Sequence, residues 1–429
     1  MAQPRTPAAH WSESPLARIF GPIQSFASQA EAGGIVLLVA TLLALGLANS
    51  PLAEGYQALL ETHIGINLGP WALEESLLHW VNDGLMAIFF FVVGLEIKRE
   101  LLVGELANPR AAALPIIAAT GGALLPAAIF ALLNAGGPGA PGWGVPMATD
   151  IAFALGCMAL LGSRIPFGLK IFVMAVAIVD DLIAVLVIAV FYTAQLNVVA
   201  LGVGLLVLVL LAGCNWLGLR SPLVYSVLGL IVWLAFLQSG VHATIAGVLI
   251  ALTIPARYRI DGPTFHERAT TLIESFEPQP DEARMLTDDG QQHAVLALED
   301  LCEQVQAPLQ KLEHRLQGWV TWVIMPVFAL ANAGVALGSV QIGGEALPMV
   351  LGVGFGLLLG KPIGLLVASW LAVRSKIAQL PQGVSWGAMA GAGVLAGIGF
   401  TMSIFIATLA FDSADALATV KLAVLGSSL

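Results

Sequence analysis

Residues 172–191 read FVMAVAIVDDLIAVLVIAVF, and Asp180 and Asp181 are the only charges in them. Every other position is Val, Ile, Leu, Ala, Phe or Met. One Asp at the centre of a bilayer costs about 2.5–3.5 kcal/mol on insertion scales, so two adjacent ones need a compensating cause, by default an ion or proton pathway. The surrounding chain has the same character. Of 429 residues 58% are apolar and 11% charged, with mean hydropathy +0.88, against roughly 45–50% and 25% in soluble domains. An all-α polytopic membrane protein is expected. The formal charge of −10 gathers largely in one loop, and its sign argues against a nucleic-acid partner. Cys157, Cys214 and Cys302 are odd in number and scattered, so no disulfide framework is implied. Residues 1–30 hold Arg5 and Arg18 but no apolar core before a small-residue cleavage site, so no removable signal peptide is expected.

Apolar runs near the spanning length of about 20 residues predict helices at 33–50, 77–97, 112–133, 143–162, 170–192, 198–216, 222–238, 241–255, 316–338, 347–372, 384–411 and 413–429. That is about twelve transmembrane helices. With the N-terminus inside, every Lys and Arg except Lys361 and Lys421 falls at an inner end or in an inner loop, as positive-inside topology requires. The expected organisation is an inner segment 1–32, helices one to eight over 33–255 with an outer hairpin at 55–72, an acidic inner insertion at 256–315, and helices nine to twelve over 316–429. The last run, Ser413 to Leu429, would rise about 25 Å, short of a hydrocarbon core near 30 Å. In the insertion, Pro278-Gln279-Pro280 and Asp288-Asp289-Gly290 read as breaks. Val295, Leu298, Leu301, Val305, Leu309, Leu312 and Leu316 then recur at helical spacing and predict one amphipathic helix leading into the ninth span. The insertion as a whole reads as a solvated linker.

Four charged groups lie deep in apolar runs: Asp150, Asp180, Asp181 and Lys361. Successive helical residues point about 100° apart, so one of the adjacent aspartates can face a cavity while the other takes a partner on a neighbouring helix. Lys361 is the natural partner. Three carboxylates against one ammonium leave at least one to bind a cation or a proton. Carboxylate, hydroxyl and backbone carbonyl suit Na⁺ or Li⁺ better than a transition metal, and Thr149 beside Asp150 adds a hydroxyl. The seven histidines form no cluster at metal-ligand spacing. Thr149-Asp150-Ile151-Ala152-Phe153 weakly echoes Thr401-Met402-Ser403-Ile404-Phe405, each in a run interrupted by Gly or Pro, the sequence pointer to a site made by broken helices. Lys361, in Gly356-x-x-x-Gly360-Lys361-Pro362-x-x-Gly364, follows no Walker pattern, and the glycines read as a close-packing seam. Glu96, Lys98, Arg99 and Glu100, with Glu313 and His314, read first as a solvated anchor at an inner membrane edge, and second as a mix of acids, bases and one histidine able to titrate near neutral pH and gate access. His242 reads as a packing residue and Asp83 as a structural polar contact.

In order along the chain, Phe89 to Glu100, Thr149-Asp150, Val179-Asp180-Asp181-Leu182, Gly360-Lys361-Pro362 and Gly399-Phe400-Thr401-Met402-Ser403-Ile404-Phe405-Ile406-Ala407 resemble the NhaA-type bacterial sodium/proton antiporters. The resemblance covers residues 30–429 apart from the insertion. It implies an inverted-repeat transporter fold with the fourth and eleventh helices crossed and interrupted. By the resemblance, Asp181 would be the main Na⁺ ligand, with Asp180 and Thr149 beside it, and Asp180 would pair with Lys361 and exchange protons. Asp150 and Lys361 would offset the dipole ends of the broken helices. Glu96, Lys98, Arg99, Glu100, Glu313, His314 and His242 would serve the pH response, and the outer hairpin would join a homodimer. The implied activity is electrogenic export of Na⁺ or Li⁺ against inward protons across the bacterial inner membrane, with no cofactor. Gln317 stands where some members have a histidine.

Other classes remain to be weighed. A sodium-coupled symporter of related fold would show substrate-dependent Na⁺ uptake without proton release. An intramembrane aspartyl protease could use Asp150 and Asp180, but the chain contains no Gly-x-Gly-Asp. A retinal pump would need a Schiff-base lysine, and Lys361 is followed by Pro362.

Overall fold

The computed structural model describes residues 32–68, 71–193, 196–275, 289–338 and 343–428. The readings placed on residues 1–31, on Gly69-Pro70, on Pro278-Gln279-Pro280 and on Arg284 and Asp288 lie outside the described residues. Contacts divide the chain into two units, one of Met1–Met86, Glu105–Tyr192 and Thr321–Leu429, the other of Ala87–Gly104 and Thr193–Val320. Among the described residues, six helices are long and apolar enough to cross a membrane, or up to eight if each of two bent pairs is one crossing. The chain is thus an all-α, multi-pass membrane protein, with one small hairpin among the described residues. Several of the expected runs miss that test because they are short or interrupted: Ala243–Thr253 has only 11 residues.

In the first unit, Pro109–Leu133 starts on an Asn108 side chain that accepts from Arg110 N–H, with proline in the first turn, where its missing N–H costs nothing. Phe167–Phe191, the aspartate helix, follows Pro166. It packs with Pro109–Leu133, Ile151–Leu161, Lys361–Arg374 and Trp386–Ala396 around Leu114, Ala118, Met158, Phe172, Val176, Leu365 and Met389. This apolar cluster is the frame on which the buried charges sit.

The two Gly/Pro-rich runs are interrupted. Ala140–Met147 is a 3₁₀ helix holding Pro141 and Pro146, residues 148–150 carry no helical turn, and Ile151–Leu161 resumes as α-helix. Trp386–Ala396 and Phe400–Ala410 are separated at residues 397–399 and bent by 45°. Between Leu347–Phe355 and Lys361–Arg374 the helix widens into a π-helical turn, Gly356–Gly360. The expected glycine seam packs on Pro109–Leu133: a Cβ on Gly360 would stand 2.9 Å from Pro126 Cα, and one on Gly364 would meet the Gly121 backbone.

The hairpin lies later than the expected 55–72. Strands His63–Leu68 and Trp71–Ser76 pair antiparallel, His63 opposite Ser76, while Ala53–Leu60 is helical. Tyr56 on that helix donates to Leu330 O at 2.6 Å, which ties it down.

The second unit holds Val198–Trp216, Pro222–Ser239, Ala243–Thr253 and the insertion. The insertion contains Gly262–Glu274, Asp289–Val305 and Pro308–Trp319 rather than one continuous amphipathic helix. The apolar spacing is in phase across the junction, but Pro308 cannot continue a preceding helix and instead starts a new one. Asp289 and Gly290 lie within the helix Asp289–Val305 rather than at a break. Lys311 bonds back to Glu303 across the junction and holds that carboxyl below the usual carboxylate range.

Candidate functional site

Asp150 ends the interruption in one broken run. Its carboxylate accepts from Phe153 N–H at 3.0 Å, capping Ile151–Leu161, and from Thr401 N–H at 3.2 Å in the first turn of Phe400–Ala410. The Thr401 hydroxyl donates to it as well. One anion therefore faces the positive ends of two helices, the placement that helix dipoles favour. Asp150 N–H donates to Ile398 O at 2.8 Å, and Ser403 Oγ donates to Val145 O at 2.8 Å. The two interruptions thus meet through the backbone groups that each break sets free.

Lys361 Nζ lies 2.7 Å from Asp180 Oδ2 and also donates to Met147 O, the last carbonyl of the 3₁₀ half-helix. A cation there faces the negative end of that half-helix. Thr149 Oγ1 is 2.7 Å from Asp180 Oδ2 and 2.8 Å from Ala396 O. A hydroxyl has one hydrogen, so it can serve only one of these acceptors at a time. Exposure is 0% for Asp150 and Lys361, 3% for Asp180 and 1% for Asp181. Asp180 Oδ1 is buried without a hydrogen-bond partner.

The structure therefore brings together Thr149, Asp150, Asp180 and Lys361, with Asp181 buried on the next position of the aspartate helix. Their donors are carboxylate, hydroxyl and carbonyl oxygens, a set suited to a hard cation. Among the described residues, no three His, Cys, Asp or Glu side chains gather as a metal-ligating group.

The charged residues of the expected inner edge lie in the second unit: Glu96, Lys98, Arg99 and Glu100 on a helix that continues to Val103 rather than stopping near 97, and Glu313 and His314 on Pro308–Trp319. Lys98 Nζ donates to Leu252 O at 2.7 Å, at the carbonyl end of Ala243–Thr253. Arg99 bonds Glu313 at 3.0 Å and Glu100 at 2.8 Å. Glu96 is half-buried, His314 is exposed beside Glu313, and Gln317 is exposed on the same helix. His242 precedes Ala243–Thr253, where its side chain makes no capping bond. Asp83, in the first unit, sits 3.0 Å from His79.

Sequence reasoning did not assign roles to Thr401, Ser403 or Tyr192, nor to the Met147, Ala396 and Ile398 carbonyls. Thr401 and Ser403 lie in the echoed pentapeptide, which was the available signal. The carbonyls carry none, because only the tertiary meeting of the breaks selects them. Ser428, in the last helix Ala414–Ser428, accepts from Phe400 N–H at 3.1 Å. Phe400 itself has φ of 25°, a strained value for a side-chain-bearing residue.

Residues 24–429 match the family described as Na⁺/H⁺ antiporter 1. The Na⁺/H⁺ antiporter NhaA of Oleidesulfovibrio alaskensis is 50% identical over 415 residues, covering 96% of this chain and 92% of its own. That of Koribacter versatilis is 48% identical over 417 residues (97% and 90%), and that of Acidithiobacillus ferrooxidans 47% over 414 (96% and 95%). A match over nearly the whole length shows that this protein belongs to the Na⁺/H⁺ antiporter 1 family.

Proposed function

We propose that the protein is a Na⁺/H⁺ antiporter of the bacterial inner membrane. The observation that carries this is the charge count at the meeting of the two breaks. Asp150, Asp180, Asp181 and Lys361 are all buried, and Lys361 pairs with Asp180. Asp150 is offset by two helix ends and Asp180 by Lys361. Asp181, buried beside Asp180 on the aspartate helix, is in this reading the main ligand of a Na⁺ or Li⁺ ion, as the family resemblance implies, with Asp180 and Thr149 completing its oxygen shell. A buried carboxylate held near a lysine can be neutralised either by a proton or by a metal ion. Mutually exclusive occupancy, combined with access alternating between the two sides, gives exchange rather than leak.

In this reading the chain crosses the membrane twelve times with its N-terminus in the cytoplasm, and its fourth and eleventh spans are interrupted and crossed. Each cycle exports one Na⁺ or Li⁺ against more than one inward proton, so it is electrogenic. Glu96, Lys98, Arg99, Glu100, Glu313, His314 and His242 set the pH response, and the hairpin joins two copies. The domain organisation read from the sequence is kept, with the hairpin moved to residues 63–76. The relatives' names support exchange rather than sodium-coupled symport.

The test uses the purified protein in liposomes with an internal pH dye and an acid interior. External Na⁺ or Li⁺, but not K⁺, should make the lumen more alkaline. Asp181→Asn should lower that response at least a hundredfold with the protein still folded. Retained exchange in Asp181→Asn would sink the assignment.

A further inference from the structure

The half-helix Ala140–Met147 is the least self-sufficient element of the site. A 3₁₀ turn has poorer hydrogen-bond geometry than an α-turn, and this one contains Pro141, Gly142, Gly144 and Pro146. Yet its final carbonyl, on Met147, is the one that receives Lys361. Side chains from other segments hold it. Ser403 binds Val145 O near the break.

At the opposite end stands Tyr192, immediately after the aspartate helix. Its hydroxyl donates to Pro141 O at 2.9 Å and accepts from Gly144 N–H at 3.3 Å. Those two groups, three residues apart, are the pair that a 3₁₀ turn would join to each other. The Trp143 ring stacks on the Tyr192 ring, with centroids 6.5 Å apart and planes 21° apart, and meets Phe191 edge-on at 5.0 Å. Gly144 leaves the space for this contact: a Cβ there would stand 2.8 Å from the hydroxyl oxygen.

We propose that Tyr192 is a positioning residue for the cation site, its hydroxyl tying the half-helix to the helix that carries Asp180 and Asp181. The proposal rests on the antiporter reading above. From Gly144 to Met147 the half-helix rises only about 6 Å, at roughly 2 Å per residue. A tilt or unwinding at the tyrosine end therefore moves the Met147 carbonyl, and with it the point where Lys361 and Asp180 meet. The hydroxyl acts on the frame, through Pro141 O and Gly144 N–H, rather than as a ligand.

The test compares the parent with Tyr192→Phe, Gly144→Ala and the double variant. Each is assayed in liposomes for the Na⁺ KM and maximal exchange rate, and in detergent for Na⁺ binding by calorimetry. Tyr192→Phe keeps the ring against Trp143 and removes both hydrogen bonds. Its KM and Kd for Na⁺ should rise about three- to tenfold, the size expected from one or two ordinary hydrogen bonds, with the maximal rate within about twofold of the parent. Gly144→Ala should shift them the same way, because its methyl displaces the hydroxyl. In the Tyr192→Phe background that methyl's nearest neighbours become a ring carbon at 3.4 Å and Ile406 at 3.5 Å, so the double variant should match Tyr192→Phe. Unchanged KM and Kd in Tyr192→Phe, or shifts that add in the double variant, would overturn the proposal. An inactive parent would sink the antiporter reading instead, while the Na⁺ titration would still decide the role of Tyr192.

Discussion

Lys361 is a cation held wholly inside the protein by its partners. It is fully buried, with Asp180 at 2.7 Å on one side and the Met147 carbonyl on the other. Replacing a buried ion pair by apolar groups can be neutral, but deleting one partner strands the other, at a cost of about 3–5 kcal/mol. Lys361→Ala should therefore lower the thermal unfolding temperature in detergent markedly. Adding Asp180→Asn to that variant should recover part of the loss, because the stranded charge is gone. An unfolding temperature that Lys361→Ala leaves unchanged would mean that the pair does not carry the weight assigned to it. Such pairing was half legible in the sequence. A lone lysine among deep aspartates announces itself, but which aspartate it meets depends on helix rotation, and its second acceptor is a backbone carbonyl that any residue could have supplied.

At the scale of elements, the site depends on helices that approach closely and helices that stop early. Pro109–Leu133 and Lys361–Arg374 touch through Gly121 and Gly364, where a Cβ on Gly364 would also lie 2.9 Å from Gly121 C and 3.0 Å from Leu125 Cβ. Backbone cannot yield as the end of a flexible side chain can. Overpacking of this kind costs about 1–3 kcal/mol, so Gly364→Ala should lower the unfolding temperature, whereas alanine at Gly354, with open space around it, should not. Equal effects at the two positions would contradict the seam. The interruptions at 148–150 and 397–399 were readable, since Pro146, Gly397 and Gly399 weaken helix on their own account. The π-helical turns Trp80–Leu85, Val320–Ile324 and Gly356–Gly360 were not, because one extra residue per turn leaves apolar periodicity almost unchanged. Ala53–Leu60 and Gly262–Glu274 were also missed. The first is too short to show a period, and the second gave no apolar run to a reading led by hydropathy.

Over the whole molecule, the residues divide cleanly. Thr149, Asp150, Asp180, Asp181 and Lys361 belong to one unit, and Glu96, Lys98, Arg99, Glu100, Glu313, His314 and His242 to the other. Composition alone announced the membrane class, and the order of the motifs pointed to the family. The division into units was not legible, because it follows from packing between helices far apart in sequence. In the function proposed above, a proton and a sodium ion compete for the same buried carboxylates. The most direct test is the apparent KM for Na⁺ in proteoliposomes, measured at successive pH values from about 6.5 to 9. Competition by one proton predicts that KM rises about tenfold for each unit of acidification below the site's apparent pKa, with the maximal rate at saturating Na⁺ unchanged. A KM that stays constant while only the maximal rate falls would place proton and sodium on separate sites and contradict the account.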